Sequence, residues 1–237
     1  MIGYGTNIVR NGLVLHLDAA NPKSYPGSGT TWYDLSGNGY SSVLTNSPTY
    51  TSDNKGSIVF DGTNDYITLT WNKALTFSTG ASFEVIIYPY SFLSHIAVFN
   101  AVNATHTMLY IGQNVELSGK YFRPHISLST GYYYGSINAP VTENNWYHVV
   151  YTYDSTSGSF LSYINNILYP MVWSTASPPS GATVSYFPTS STMYIGYDNR
   201  GTLNYSGKFS NFKIYNRALS SAEIAQNFAA TRGRYNI

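Results

Sequence analysis

Glutamate is scarce in this chain, and its placement limits the hydrolytic chemistry that could run. The four residues are Glu84, Glu116, Glu143 and Glu223. A retaining glycosidase needs two carboxyl groups about 5 Å apart, and an inverting one needs them further apart with a water between. Only Glu84 falls inside a strongly apolar run, Phe83-Glu84-Val85-Ile86-Ile87-Tyr88, where the positions that could hold a partner are Ile86 and Tyr88. One carboxylate alone cannot run either mechanism, so a non-enzymatic protein is the expectation. The histidines at 16, 95, 106, 125 and 148 lie near no Gly-x-Ser-x-Gly elbow, and cysteine is absent, so a nucleophilic triad lacks its parts. No His-x-x-x-His pair points to zinc. His148, within an apolar run, reads as a packed or hydrogen-bonded structural histidine.

Two loops are rich in hard oxygen ligands: Asp34 with Asn38, and Asp61 with Asn64 and Asp65. Calcium takes six to eight such oxygens, which makes Ca²⁺ the candidate cofactor. Their spacing matches no dedicated calcium motif, and Asp and Asn also shape turns by bonding their own backbone. The second reading is preferred for both loops, and no cofactor is required. The 24 tyrosines offer another chemistry. Tyr132-Tyr133-Tyr134 between two glycines, and Tyr197-Asp198-Asn199 in a loop, set rings beside polar oxygens. Such groups suit a sugar ring, or equally a protein interface that buries amphipathic rings.

The elements that must position these groups are strands. Leu13, Leu15 and Leu17 alternate with Val14, His16 and Asp18, the period of a strand. Residues 58–61 and 66–71 flank a tight turn at Gly62-Thr63-Asn64-Asp65. Residues 83–88 are apolar on both faces except at Glu84, as an inner strand covered twice should be. Further runs are 96–99, 108–111, 121–128, 146–153, 160–164, 167–169, 193–197 and 209–215. Pro124 places 121–128 at an edge or bulge, since proline cannot donate to a ladder. Asn165-Asn166 marks a hairpin. The one convincing helix begins at Ser220, a cap that Glu223 can close into a capping box, with Leu219 and Ile224 as the hydrophobic staple. It should cover residues 220–230. Short strands in series, without helical interludes, predict an all-β antiparallel two-sheet sandwich sealed by that short C-terminal helix.

The chain has 237 residues, a length one β-domain can occupy, and no linker or composition change divides it. Residues 1–12 form an N-terminal arm. Charged residues are 10% of the chain and the net charge is +1. No basic stripe exists to neutralise phosphates, so nucleic acid is excluded as a partner. No run is long and apolar enough to insert in a membrane, and no secretory signal is visible at the start. A nearly neutral surface associates readily, so an oligomer is expected.

Four blocks in series then carry a resemblance: residues 57–69 (SIVFDGTNDYITL), 77–88 (FSTGASFEVIIY), 145–169 (NWYHVVYTYDSTSGSFLSYINNILY) and 193–228. Together they resemble the concanavalin A-like lectin/glucanase superfamily in its laminin-G-like jelly-roll branch. The hydrolytic members place a Glu-x-Asp-x-x-Glu cluster along one strand, which this sequence lacks around Glu84. Relatives often hold calcium at the rim, which is what raises the two oxygen-rich loops as candidates. The opening, GLVLHLDAANPKSYPGSGTTWYDLSGNGY, is similar to what precedes such domains in proteins of tailed bacteriophages and environmental bacteria. The resemblance implies a virion-surface subunit, as a capsid-decorating, head-fibre or tail-associated protein assembled in a host cytoplasm. It would partner other virion proteins or copies of itself and bind a cell-surface glycan. The alternatives are a soluble or extracellular bacterial carbohydrate-binding protein and, third, a glycoside hydrolase.

Overall fold

Alternating apolar and polar residues fold this chain into strands that stack as two sheets. The structure, a computed structural model, describes residues 7–71, 77–92, 96–101, 107–114, 119–137, 139–184, 192–197 and 204–237. The strands are β1 (Leu13–Asp18), β2 (Thr31–Tyr33), β3 (Ser41–Thr45), β4 (Thr49–Thr51), β5 (Ser57–Asp61) and β6 (Tyr66–Thr70). They continue with β7 (Gly80–Pro89), β8 (Ile96–Ala101), β9 (Thr107–Asn114), β10 (Gly119–Leu128), β11 (Gly131–Ile137) and β12 (Tyr147–Asp154). The last are β13 (Ser159–Ile164), β14 (Ile167–Tyr169), β15 (Met171–Trp173), β16 (Thr192–Ile195) and β17 (Ser206–Tyr215), followed by helix α1 (Ser221–Thr231).

One sheet has eight strands in the order β14-β13-β12-β7-β17-β5-β4, with β1 also on β17. The other has nine, β15-β11-β10-β9-β8-β16-β6-β3-β2. Every pairing between these strands is antiparallel. β17 runs beside β7, while its other flank takes β5 at Ser206–Phe209 and β1 at Asn211–Tyr215. The register shifts between Phe209 and Asn211. Ser210, the residue left over, bonds the Gly56 carbonyl at 2.6 Å and the Tyr235 hydroxyl at 2.7 Å.

The inward faces meet as an aromatic and aliphatic core. Phe83 stacks on Tyr151 across two paired strands at 4.9 Å, and Phe99 of one sheet touches Phe212 of the other at 4.8 Å. The eight-stranded sheet is covered on its outer face too. There Val9, Val150, Tyr163, Tyr215, Leu219 and Ile224 form a second apolar cluster under α1. The capping box forms as expected: the Ser220 hydroxyl accepts from the Glu223 backbone N–H, and the Glu223 carboxylate accepts from Ser220 N–H at 2.9 Å. Arg217 grips the same carboxylate at 2.6 and 2.8 Å. Leu219 and Ile224, the expected staple, both lie in this cluster.

β7 is central and buried on both faces, as its composition implied. Asn165 and Asn166 turn the β13–β14 hairpin with φ of 50° and 65°. The expectation for Pro124 is corrected. β10 is an interior strand, paired to β9 and β11 at one unbroken register. The ladder to β11 omits pairs at Arg123 and Pro124, between Phe122↔Ile137 and His125↔Tyr134, so the missing N–H is accommodated without a bulge. β2, β3, β4, β11 and β15 were not expected; three of them have only three residues, too few to show a period. Among the described residues, no helix is long and apolar enough to cross a membrane.

Candidate functional site

β10 and β11 sort their side chains by alternation. Phe122, Ile126 and Leu128 enter the core, so Tyr121, Arg123, His125 and Ser127 occupy the outer face of the nine-stranded sheet. On β11 the same rule sends Tyr132, Tyr134 and Ser136 outward and Tyr133 inward. Tyr133 packs against the core and bonds Thr130 Oγ1 with its hydroxyl at 3.3 Å. Of the three consecutive tyrosines expected as a ligand surface, two therefore share the outer face and one does not.

Directly opposed residues share a face, and the register assembles a cluster from them. His125 lies opposite Tyr134 and stacks on it, with ring centres 4.8 Å apart and 14° between planes. Tyr132 approaches the imidazole at 5.3 Å and Tyr110, from β9, at 5.0 Å. Arg123, opposite Tyr110, bonds Ser136 Oγ at 3.2 Å and sets its guanidinium over Tyr121 at 4.9 Å and Tyr134 at 5.8 Å. Burial raises the Tyr121 phenol above its ordinary range, with Arg123 pulling the other way. Tyr132 and Tyr134 are half-buried, while Tyr110 and His125 are buried.

A second ring group shares this face. Ile67, Leu69, Met193 and Ile195 are in the core, which turns Tyr66 of β6 and Tyr194 of β16 outward. Tyr66 stacks on Tyr197 at 5.1 Å and meets Tyr194 at 5.7 Å. β9 and β8 lie between β10 and β16, so His125 and Tyr194 stand on strands three spacings apart, about 14 Å. Asp198 and Asn199, expected beside Tyr197, lie outside the described residues. Tyr110, Tyr121, Arg123 and His125 were not picked out from sequence. Their signal was legible, because 121, 123, 125 and 127 alternate with Phe122, Ile126 and Leu128.

Glu84, the glutamate of the apolar β7 run, sits on the other sheet, on the side under α1. Glu84, Lys213, His148 and Asn227 are all buried. Glu84 Oε1 accepts from Lys213 Nζ at 2.8 Å and pairs with His148 Nε2 at 3.0 Å, while Oε2 accepts from Asn227 Nδ2 at 2.6 Å. Asn227 Nδ2 also reaches the Tyr215 hydroxyl, and its Oδ1 accepts from Val9 N–H at 2.8 Å. Burial pushes the Glu84 carboxyl up, but the Lys213 ammonium and the His148 contact together overcome it and hold the group well below the usual carboxylate range. His148 is thus a hydrogen-bonded structural histidine, as its position suggested.

The oxygen-rich loops use their carboxylates locally. Asp34 accepts from His16 N–H at 2.9 Å, Ser36 N–H at 2.8 Å and Ser36 Oγ at 2.6 Å. Asn38 donates to the Val14 carbonyl at 2.8 Å. Asp61 accepts from the N–H groups of Thr63 and Asn64, which lowers its pKa, the Thr63 bond most. Asp65 accepts from Asp61 N–H, and burial raises its pKa. The Asn64 carbonyl accepts from the Asn46 amide. Among the described residues, no three His, Asp or Glu side chains converge as a metal site.

Residues 61–225 match a family model, Laminin_G_3, described as the concanavalin A-like lectin/glucanases superfamily. No curated protein matches the sequence. Among solved structures, the chain is similar to domain 4 of AbnA, an extracellular arabinanase from Geobacillus stearothermophilus, in complex with arabinotriose. The TM-score is 0.60 at 16% identity, covering 92% of this chain and 98% of that one. It is also similar to the binding domain of botulinum neurotoxin serotype D, with a TM-score of 0.67 at 14% identity over 94% of this chain. It spans 52% of that neurotoxin chain. A pentraxin from Limulus polyphemus matches at a TM-score of 0.54 and 15% identity, covering 71% of this chain and 79% of its own.

Proposed function

Because the chain belongs to the concanavalin A-like lectin/glucanases superfamily, we propose that it is a non-enzymatic carbohydrate-binding domain that holds a glycan on the outer face of its nine-stranded sheet. The observation that carries this reading is the cluster of Tyr132, Tyr134, Tyr110 and His125 with Arg123 beside it. A pyranose packs its C–H face on an aromatic ring and turns its hydroxyls to polar neighbours. Half-buried rings with the part-exposed Arg123 alongside meet both needs. The second ring group at Tyr66, Tyr194 and Tyr197 gives an extended chain somewhere to continue. The bound arabinotriose of the arabinanase domain, a neighbour by fold, supports a short oligosaccharide as the occupant.

The fate of Glu84 supports binding without cleavage. A carboxylate buried on the far sheet and bonded to Lys213, His148 and Asn227 has no access to a substrate. The virion-surface setting draws on the resemblance of the opening segment, the low charge and the lack of a catalytic set, and is tested separately, by co-sedimentation with assembled particles. The binding reading is tested by screening oligosaccharides on an array, then titrating a hit while following its integrity by chromatography. Saturable binding with an intact sugar is expected; release of shorter products would refute the reading.

A further inference from the structure

The outer face of the eight-stranded sheet is left open near the end of α1. Between the N-terminal arm, β1, the loop that follows β1 and the turn after α1 lies a cavity of about 460 Å³, within the range of small-molecule sites. Its lining includes Arg10, His16, Asp18, Lys23, Asn211 and Arg234. None of these belongs to the aromatic face or to the Glu84 network.

Two of them hold polar atoms whose bonding is incomplete. Asn211 is 1% exposed, and its amide nitrogen lies 3.5 Å from His16 Nε2 while its Oδ1 has no partner. Arg234 gives Nη1 to the Asp18 carboxylate at 2.9 and 3.2 Å. Its Nε and Nη2 are buried with no hydrogen bond of regular geometry, and the guanidinium lies 5.1 Å from the Tyr235 ring centre. A buried donor or acceptor left unmade is costly, so such groups mark a place for a ligand. Burial, with Lys213 nearby, drives the His16 pKa down to about 3, so the imidazole is neutral near pH 7.

The charges decide the ligand class. Asp18 is engaged by Arg234. Arg10 and Lys23 form no ion pair among the described residues and stand exposed at the mouth. The cavity therefore offers guanidinium and ammonium donors to an anion, and guanidinium pairs bidentately with a carboxylate or a phosphate. Asn211 Oδ1 asks for a donor, which a carboxylate or phosphate oxygen cannot give and a hydroxyl can. We propose that this cavity is a second binding site, for a sugar acid whose carboxylate faces Arg10, Lys23 and Arg234 and whose ring hydroxyl donates to Asn211 Oδ1. A free sugar acid and the terminal unit of an acidic polysaccharide share this chemistry.

Isothermal titration with sodium glucuronate, glucose, inorganic phosphate and an oligouronate tests the site. Saturable glucuronate binding is expected, with glucose and phosphate each at least tenfold weaker. Tighter binding of the oligouronate assigns the polysaccharide as source, and equal binding assigns the free sugar; either supports the site. The double variant Arg10→Ala/Lys23→Ala changes only exposed cations and should weaken glucuronate at least tenfold. Asn211→Ser should also weaken it. Tyr134→Ala, on the other sheet, should leave it unchanged, so failure here is separable from failure of the aromatic face. Absence of saturable glucuronate binding, equal affinity for glucose or phosphate, or full affinity in the double variant would overturn the proposal.

Discussion

The outer faces of the two sheets are built on the same alternation and end in opposite states. On the eight-stranded sheet, α1 and Val9 lie over the outward side chains, and Glu84, Lys213 and His148 sit there fully out of water. On the nine-stranded sheet the outward side chains include two groups of tyrosines, with Tyr132, Tyr134, Tyr66, Tyr194 and Tyr197 half-buried. The first face uses charge to fix one packing of helix on sheet. The second carries half-buried rings that stack around His125 and on one another. Charge under the helix serves packing, and the glycan site proposed above lies on the aromatic far side, the reverse of where a search for carboxylate chemistry would look.

That contrast breaks most sharply at Lys213. Lys213→Ala leaves Glu84 buried without its cation, and removal of one partner from a buried pair costs about 3–5 kcal/mol. Denaturant unfolding should show a loss of that size, with little change in glycan affinity once the fold is held. Acid probes the same face. The Glu84 and Glu223 carboxyls both lie below their ordinary value of 4.5 in the folded chain, Glu223 at about 2 through its Arg217 bond and N-cap contacts. A depressed folded pKa stabilises above the unfolded value. Stability should therefore hold above about pH 4.5 and fall as pH drops toward 2, with a shallower fall in Glu84→Gln. On the opposite face the effects should be on binding. Tyr134→Ala should weaken the glycan about tenfold, near 1.4 kcal/mol, with an unchanged unfolding midpoint. Tyr133→Phe, which removes only an inward hydroxyl bonded to Thr130, should leave affinity as it is.

The frame was largely legible in the residues. Leu13–Asp18, the β7 run and the Ser220–Glu223 capping box each carry a local signal strong enough to place themselves. Edge strands such as Thr31–Tyr33 and Met171–Trp173 do not, because three residues show no period; the second also pairs with β11, with β12, β13 and β14 between them in sequence. Pro124 misled because the rule barring proline from inner strands is a tendency, and here the ladder simply omits a bond. The aromatic cluster was half visible. Tyr132 and Tyr134 stand out as a run, but the stacking of His125 on Tyr134 depends on the β10–β11 register, which no single segment encodes. The Glu84 network was hidden for the same reason: its partners come from β12, β17 and α1.

The two faces each hold a histidine whose ring reports directly on them, His125 on the aromatic surface and His148 beneath α1. Following both imidazole resonances by NMR during titration with a bound oligosaccharide tests the central claim. The His125 signals should shift saturably while those of His148 stay fixed. Movement of His148 with a silent His125 would contradict it.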